Sequence, residues 1–373
     1  MNSKRWASGL AVLMSFAIVA AACGSDSDGE TSEGAAASGD CATAGKSISV
    51  LLPDTESSDR WETQDKPGFE AAFEEAGVDA TVVNAEGDAQ QQQAQAEQAI
   101  AEDAGVIVMT NLDSGSGAAI QDLAREAGVK VVDYDRETIE GDGADVYVSF
   151  GNVKVGEAMA GVLEPLIDDL GVETPQVVML NGGPTDDNAR LFREGYAATV
   201  EARADAGDWA IVADEPVPDW DNAEAGVVME QILTSANNEV DAVFAANDGL
   251  AGSAITAMQA AGLDTTTIPV SGQDATVPGI QLILSGDQSM TVYKPIADEV
   301  ASASEAALAL LNCEDIGAVA TDLAPFAENE GREIPAVLLE PIAVTADNLD
   351  ETVFADGFVS EDDVCVGDFA QYC

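Results

Sequence analysis

The feature that most restricts this chain is an alternation. From residue 47 onward, short apolar runs of strand type take turns with longer segments of helical spacing. "SISVLLP" (47–53) precedes the helical pattern "GFEAAFEEAG" (68–77), which stops at glycine. "ATVVNA", "VIVMTN", "VKVVDYD" and "DVYVSF" then alternate with "QQQQAQAEQAIAEDAG" and "GAAIQDLAREAG". The glutamine run falls on the face of a helix that has apolar positions behind it. The second half repeats the scheme: "VGEAMAGVLEPLIDDLG", "QVVML", a helix over 188–205, "WAIVAD", a helix over 222–236, "DAVFAA", a helix over 250–262, "TIPVSG", a helix over 276–285 and "SMTVYK". Strands that alternate with helices form parallel sheets covered on both faces. There are too many for one comfortable sheet in 373 residues, so the spacing predicts an α/β protein of two doubly wound, Rossmann-like lobes.

The N-terminus reads as an export signal. Lys4 and Arg5 precede the apolar run "GLAVLMSFAIVAAA", which has signal-peptide length and is shorter than a typical spanning helix. Ala20, Ala21 and Ala22 lead into Cys23, an arrangement similar to a bacterial lipobox in which Cys23 is lipidated and becomes the first mature residue. Ala20 departs from that pattern, which usually has a larger aliphatic there. "GSDSDGETSEGAAASGD" follows and contains nothing that can pack, so residues 23–45 read as a solvated tether after a signal peptide at 1–22. In an exported setting Cys41, Cys313, Cys365 and Cys373 are expected in disulfides. Four cysteines allow three pairings, and spacing does not choose among them.

Charge narrows the partners. With 69 acidic residues against 14 basic ones the net charge is −55, which repels nucleic acid and anionic surfaces. There is no histidine, so the commonest general base and metal ligand is missing. No metal and no cofactor are called for.

In open parallel sheets ligands sit beyond the carboxyl ends of the strands. Those ends carry Arg60 and Trp61; Asn111; Asp135 and Arg136; Asp187 and Asn188; Trp220; Asn247 and Asp248; Gln273 and Asp274; and Lys294. Any one Asp or Asn at such a turn is accounted for equally well as a helix cap. Opposed charges together with tryptophans suit a sugar. Carboxylates accept from hydroxyls, Arg, Lys and Asn donate to them, and indole covers the flat C–H face of the ring. A glycosidase on the same scaffold would also use paired carboxylates.

The segments "DRW", "VDYDRE", "VSFGNVKVGE", "NGGPTDDNARLFREG", "AANDGLAG", "SGQDA" and "MTVYKP" occur in this order, and the chain from about Lys46 to about Val359 resembles the bacterial D-xylose-binding proteins. These are sugar-binding members of the type I periplasmic-binding fold. The resemblance implies two lobes joined by a three-crossing hinge and a neutral monosaccharide, in the first place D-xylose, bound between them. It also implies a monomer that works with an ABC permease, not an enzyme, held at the outer face of the cell membrane through Cys23. A sensory role beside a receptor kinase is the alternative. The implied ligand-binding residues are Arg60, Trp61, Asp135, Arg136, Asn188, Trp220, Asn247, Asp248, Asp274 and Lys294, with Trp61 and Trp220 on either face of the ring and Asp248 and Asp274 accepting from its hydroxyls. Lys66 and Asn111 are weaker additions, because the sequence around each departs from the family pattern. Crossings are expected near 151, 287 and 325, giving one lobe of 46–150 plus 288–322 and another of 151–287 plus 323–373.

Overall fold

A computed structural model describes residues 41–55, 57–325 and 333–373. The signal segment and Cys23 lie outside the described residues, as does most of the tether.

The first sheet has seven strands. In chain order they are β1 (Ser47–Leu52), β2 (Ala80–Asn84), β3 (Ala104–Met109), β4 (Lys130–Tyr134), β5 (Val146–Phe150), β10 (Asp322–Pro325) and β11 (Glu333–Leu339). Their spatial order is β10-β11-β5-β4-β3-β1-β2, parallel except for the β10–β11 pair. Every residue of β3 and β5 is buried. That explains their near-continuous apolar runs, since a parallel strand is covered on both faces. The helices α1 (Lys66–Ala76), α2 (Ala89–Ala101), α3 (Ser114–Ala127) and α9 (Ile296–Leu311) supply the cover, and Phe69, Phe73, Tyr134, Ile296 and Val300 share one core cluster with β1, β3 and β5.

The second lobe is built on β6 (Gln176–Asn181), β7 (Ala210–Pro216) and β8 (Ala242–Ala245), in the order β7-β6-β8. Residues 270–274 continue it through a bridge between Val243 and Val270, and β9 (Thr291–Tyr293) follows through the bonds Asp274 N→Val292 O and Val292 N→Gly272 O. β12 (Ile342–Val344) then pairs antiparallel with β9. Its helices are α4 (Asn152–Asp169), α5 (Asp187–Ala206), α6 (Asn222–Ser235), α7 (Asp248–Ala260), α8 (Val277–Ser285) and a short α10 (Glu361–Val364). α4 and α5 meet at two glycines: a Cβ on Gly156 would lie 2.0 Å from Phe192 O, and one on Gly195 would lie 2.1 Å from Val153 O. Only the missing side chains let the two backbones approach this closely.

The chain passes between lobes three times. The first passage, from β5 into α4, falls at Gly151. The second lies between Lys294 and Pro295, because β9 is hydrogen-bonded into the second lobe while α9 packs on the first. The third lies between β11 and β12. The expected crossings near 287 and 325 are therefore displaced, and 288–294 and 323–339 change lobes. The cause is sheet pairing: Ala336 to Leu339 of β11 lie in register beside Tyr147 to Phe150 of β5. Beyond β12 the tail packs on the second lobe through Leu349, Val353 and Val364. The cysteines pair Cys41 with Cys313 and Cys365 with Cys373.

Candidate functional site

The two lobes face each other across a chamber of about 30 Å3, room for about two waters. Nine of the ten residues expected to bind ligand line it: Arg60, Trp61, Asp135, Arg136, Asn188, Trp220, Asn247, Asp274 and Lys294. All stand where a strand ends or a helix begins. Arg60 and Trp61 begin the helical turn after β1, Asp135 and Arg136 follow β4, Asn188 opens α5, Asn247 caps α7, and Lys294 follows β9.

Asp135 is the hub. Its carboxylate accepts from Arg60 Nη1 at 2.9 Å, from Lys294 Nζ at 3.3 Å and from Asn188 Nδ2 at 3.1 Å. The first donor belongs to its own lobe and the other two come from the opposite lobe. Burial alone would raise this carboxyl, but Lys294, Arg60 and Arg136 together outweigh that and hold it well below the usual carboxylate range. Burial would likewise strip Lys294 of its proton. Asp135 and Asp274, the latter 3.6 Å away, more than offset this and raise its pKa. Arg60 is held from behind by Asp65 at 2.6 Å and Glu299 at 2.9 Å. Arg136 reaches across the cleft to Asp186 at 3.0 Å.

The tryptophans come one from each lobe. Trp61 donates from Nε1 to Ser57 Oγ, and the Arg60 guanidinium lies 4.2 Å over its ring. Trp220 donates from Nε1 to Asp186 Oδ2 at 3.1 Å and meets Phe192 edge-on. It lies so close to the strand end after β6 that a Cβ on Gly182 would come within 2.1 Å of its ring. Four residues of this region have left-handed backbones: Asp135 (φ 61°), Asp219 (φ 54°), Trp220 (φ 57°) and Asp274 (φ 92°). Such conformations cost energy outside glycine and cluster where a site is held in place by its surroundings.

Asp248 departs from expectation. Its carboxylate turns into the second lobe, where Oδ2 accepts from Thr276 N at 2.8 Å and Thr276 Oγ1 at 3.1 Å, and Oδ1 accepts from Gln288 Nε2 at 2.8 Å. Burial pushes it up to about 7 against the pull of those donors. The preceding residue, Asn247, is the helix cap. Its Oδ1 accepts from Leu250 N at 2.9 Å, which leaves Nδ2 to reach Ser57 O at 3.5 Å across the cleft. Asp248 is thus the first residue inside α7, where its side chain points back into the lobe and not at the chamber. Lys66 also lies apart, paired with Glu62 one helical turn away. Asn111 supports the site from behind: its Nδ2 donates to Arg136 O and its carbonyl accepts from Arg136 Nη1.

The family description "Periplasmic binding protein domain" matches residues 48–315. Over 308 residues the chain is 36% identical to the D-xylose-binding periplasmic protein of Escherichia coli (strain K12), covering 82% of this chain and 89% of the relative. The chain belongs to the periplasmic binding protein family. Family and relatives bind ligands and are not enzymes. This periplasmic binding protein is also 29% identical to the multiple sugar-binding periplasmic protein SbpA of Azospirillum brasilense, over 84% of this chain and 90% of that one. Among solved structures, the carbohydrate transporter solute-binding protein of Chloroflexus aurantiacus, in complex with D-glucose, is 28% identical with a TM-score of 0.75, over 85% of this chain and 97% of that one. The architecture is the type I fold of the family, with two lobes and a parallel sheet in each.

The chamber of this periplasmic binding protein also includes Ser57, Ser58, Asp186, Phe192 and Gln273, which the sequence reading did not assign to ligand. Asp186 precedes the Asp187 noted at that strand end. The N-cap position aims it into the chamber, while Asp187, also buried, accepts from Arg190 Nε. Phe192 is one helical turn past Asn188, a spacing that puts both on one face of α5.

Proposed function

We propose that this chain is the extracytoplasmic sugar-binding subunit of an ABC importer, and that it holds a neutral monosaccharide, D-xylose in the first instance, between its lobes. The observation that carries the reading is charge balance. Three cations (Arg60, Arg136 and Lys294) and three carboxylates (Asp135, Asp186 and Asp274) line one narrow interlobe space together with an indole from each lobe, a space that must widen to admit a pyranose. Such a chamber offers strong donors and acceptors to hydroxyls without favouring a net charge on the ligand. Identity to a D-xylose-binding protein over most of the chain supports the pentose.

In this mechanism each lobe of an open form carries half of the contacts. Sugar joins them and shifts the population toward the closed form, which a permease recognises. Asp135 and Asp274 accept from ring hydroxyls; Arg136, Asn188, Asn247 and Lys294 donate. Trp61 and Trp220 cover the ring. A lipid on Cys23 keeps the protein at the membrane.

Calorimetric titration with D-xylose, glucose, ribose, arabinose and galactose tests the reading. Xylose is expected to bind tightest, at micromolar affinity or better. Absence of binding to every sugar would refute the proposal, and tighter binding of another sugar would reassign the ligand.

A further inference from the structure

Two polar side chains in the chamber, Ser58 and Gln273, have no part in the network that joins the others, and only Gln273 is an amide. Gln273 stands at the end of the segment that extends β8, between the backbone it lends to α7 (Asp248 N→Gln273 O, 3.0 Å) and Asp274. It is only 3% exposed, it lines the chamber, and its Oε1 is buried with no hydrogen-bond partner. Every other buried Asn or Gln among the described residues has at least one side-chain hydrogen bond. Gln92 and Gln121 donate to Thr110 O and Asp133, Gln288 to Asp248, Asn111 to Arg136 O, and Asn152, Asn181, Asn188 and Asn247 are bonded likewise. A buried amide left unpaired destabilises the fold that contains it. No hydrogen bond within the protein accounts for an amide oxygen here. A ligand does: a hydroxyl both donates and accepts, so it satisfies either end of the amide, and a neutral amide leaves the balance of three cations and three carboxylates untouched.

We propose that Gln273 is a specificity-determining ligand residue whose amide hydrogen-bonds one hydroxyl of the bound sugar. This deepens the sugar reading above and rests on it. The role differs from that of the charged residues, which are already engaged with one another in the closed chamber. Gln273 and Ser58, whose Oγ is also buried without a partner, are the groups there with unspent hydrogen-bonding capacity; of the two only the amide stands at a strand end beside Asp274, so the ligand position facing it is read by presence or absence of a hydroxyl.

The test is a coupling experiment on the full mature chain. Wild type and Gln273→Leu are titrated calorimetrically with D-xylose and with its 1-, 2-, 3- and 4-deoxy derivatives. The substitution is expected to weaken xylose about 10- to 100-fold. It should leave one deoxy sugar bound as tightly as by wild type, because that analogue lacks the hydroxyl that Gln273 meets. The ligand-free variant should melt no lower than wild type, since it loses an unpaired amide and no bond. Equal affinity of the two proteins for xylose overturns the inference. So does a loss of the same factor for all five sugars, or a lower melting temperature of the ligand-free variant, either of which would make Gln273 structural. If wild type itself binds none of these sugars or the others of the panel, the sugar reading fails, and this inference with it.

Discussion

Asn247 and Asp248 are neighbours in sequence and do opposite things. The cap position turns the first toward the cleft, and the first helical position turns the second into the lobe, onto Thr276 and Gln288. Sequence shows that polar residues stand at a strand end, but the direction of each is fixed by backbone dihedrals that a run of letters does not display. The other nine expected residues line the chamber from strand and helix ends, whereas Asn111 and Asp187, read at such ends as well, do not. Gln273 was visible at such an end, yet its significance lies in a missing partner, which only packing reveals. Two substitutions separate these roles. Trp220→Ala should weaken sugar about 100-fold by titration, since a buried tryptophan in contact with ligand is typically a dominant anchor. Asp248→Ala should leave affinity nearly intact and cost about 1–3 kcal/mol of stability in denaturant unfolding, because the Gln288 amide and the Thr276 N–H lose their acceptor. Normal sugar binding by the Trp220 variant, or a severe loss in the Asp248 variant, would show the chamber to be wrongly placed.

At the scale of elements, order along the chain was readable and partnership across it was not. Helices α5, α6 and α8 begin within a residue or two of where their spacing put them, because amphipathic periodicity and caps are local signals. The segment of β11 is expected in the second lobe, within 323–373, and instead joins the first. Its apolar run "EIPAVLLE" suits either lobe, and only its register beside β5 decides. Contacts between helices also transmit to the site. Gly156→Ala must push α5 away from α4, which displaces Asn188 and Phe192 on the same helix. We expect weaker sugar binding from this variant although no chamber residue is changed; unaltered affinity would mean that α5 adjusts without cost. The disulfides differ in reach. Cys41–Cys313 spans 272 residues and Cys365–Cys373 spans 8. By chain entropy the first contributes roughly 5–6 kcal/mol and the second roughly 2–3. Cys313→Ser should therefore lower the melting temperature more than Cys373→Ser, as calorimetric scans would show.

For the molecule as a whole, acidity is the dominant fact. Burial raises the carboxyls of Asp133 and Asp248 to about 7 and that of Glu137 to about 8. Each is an acid whose folded pKa exceeds its unfolded one, so between about pH 4 and 8 the folded state binds more protons than the unfolded chain, and stability falls as pH rises through that window. Asp135, held low, acts in the opposite sense: its contribution is present above the unfolded pKa and fades only as pH drops below it. Repulsion among 69 acidic residues runs the same way as the raised acids. The melting temperature should therefore be higher at pH 5 than at pH 8, and added salt should narrow the gap by screening the surface. A melting temperature that climbs steadily from pH 5 to 8 would refute this account.

The second crossing has a mechanical corollary. Lys294 is the last residue before the chain changes lobes, and Asn152, which holds Asn188 at 2.8 Å, is the first helical residue after another crossing. In a rotation about such a pivot, travel grows with distance from the axis. Grips beside the fulcrum barely slacken when the jaws begin to part, whereas contacts farther from it let go early. Release of cargo would then run from rim to root like a zip.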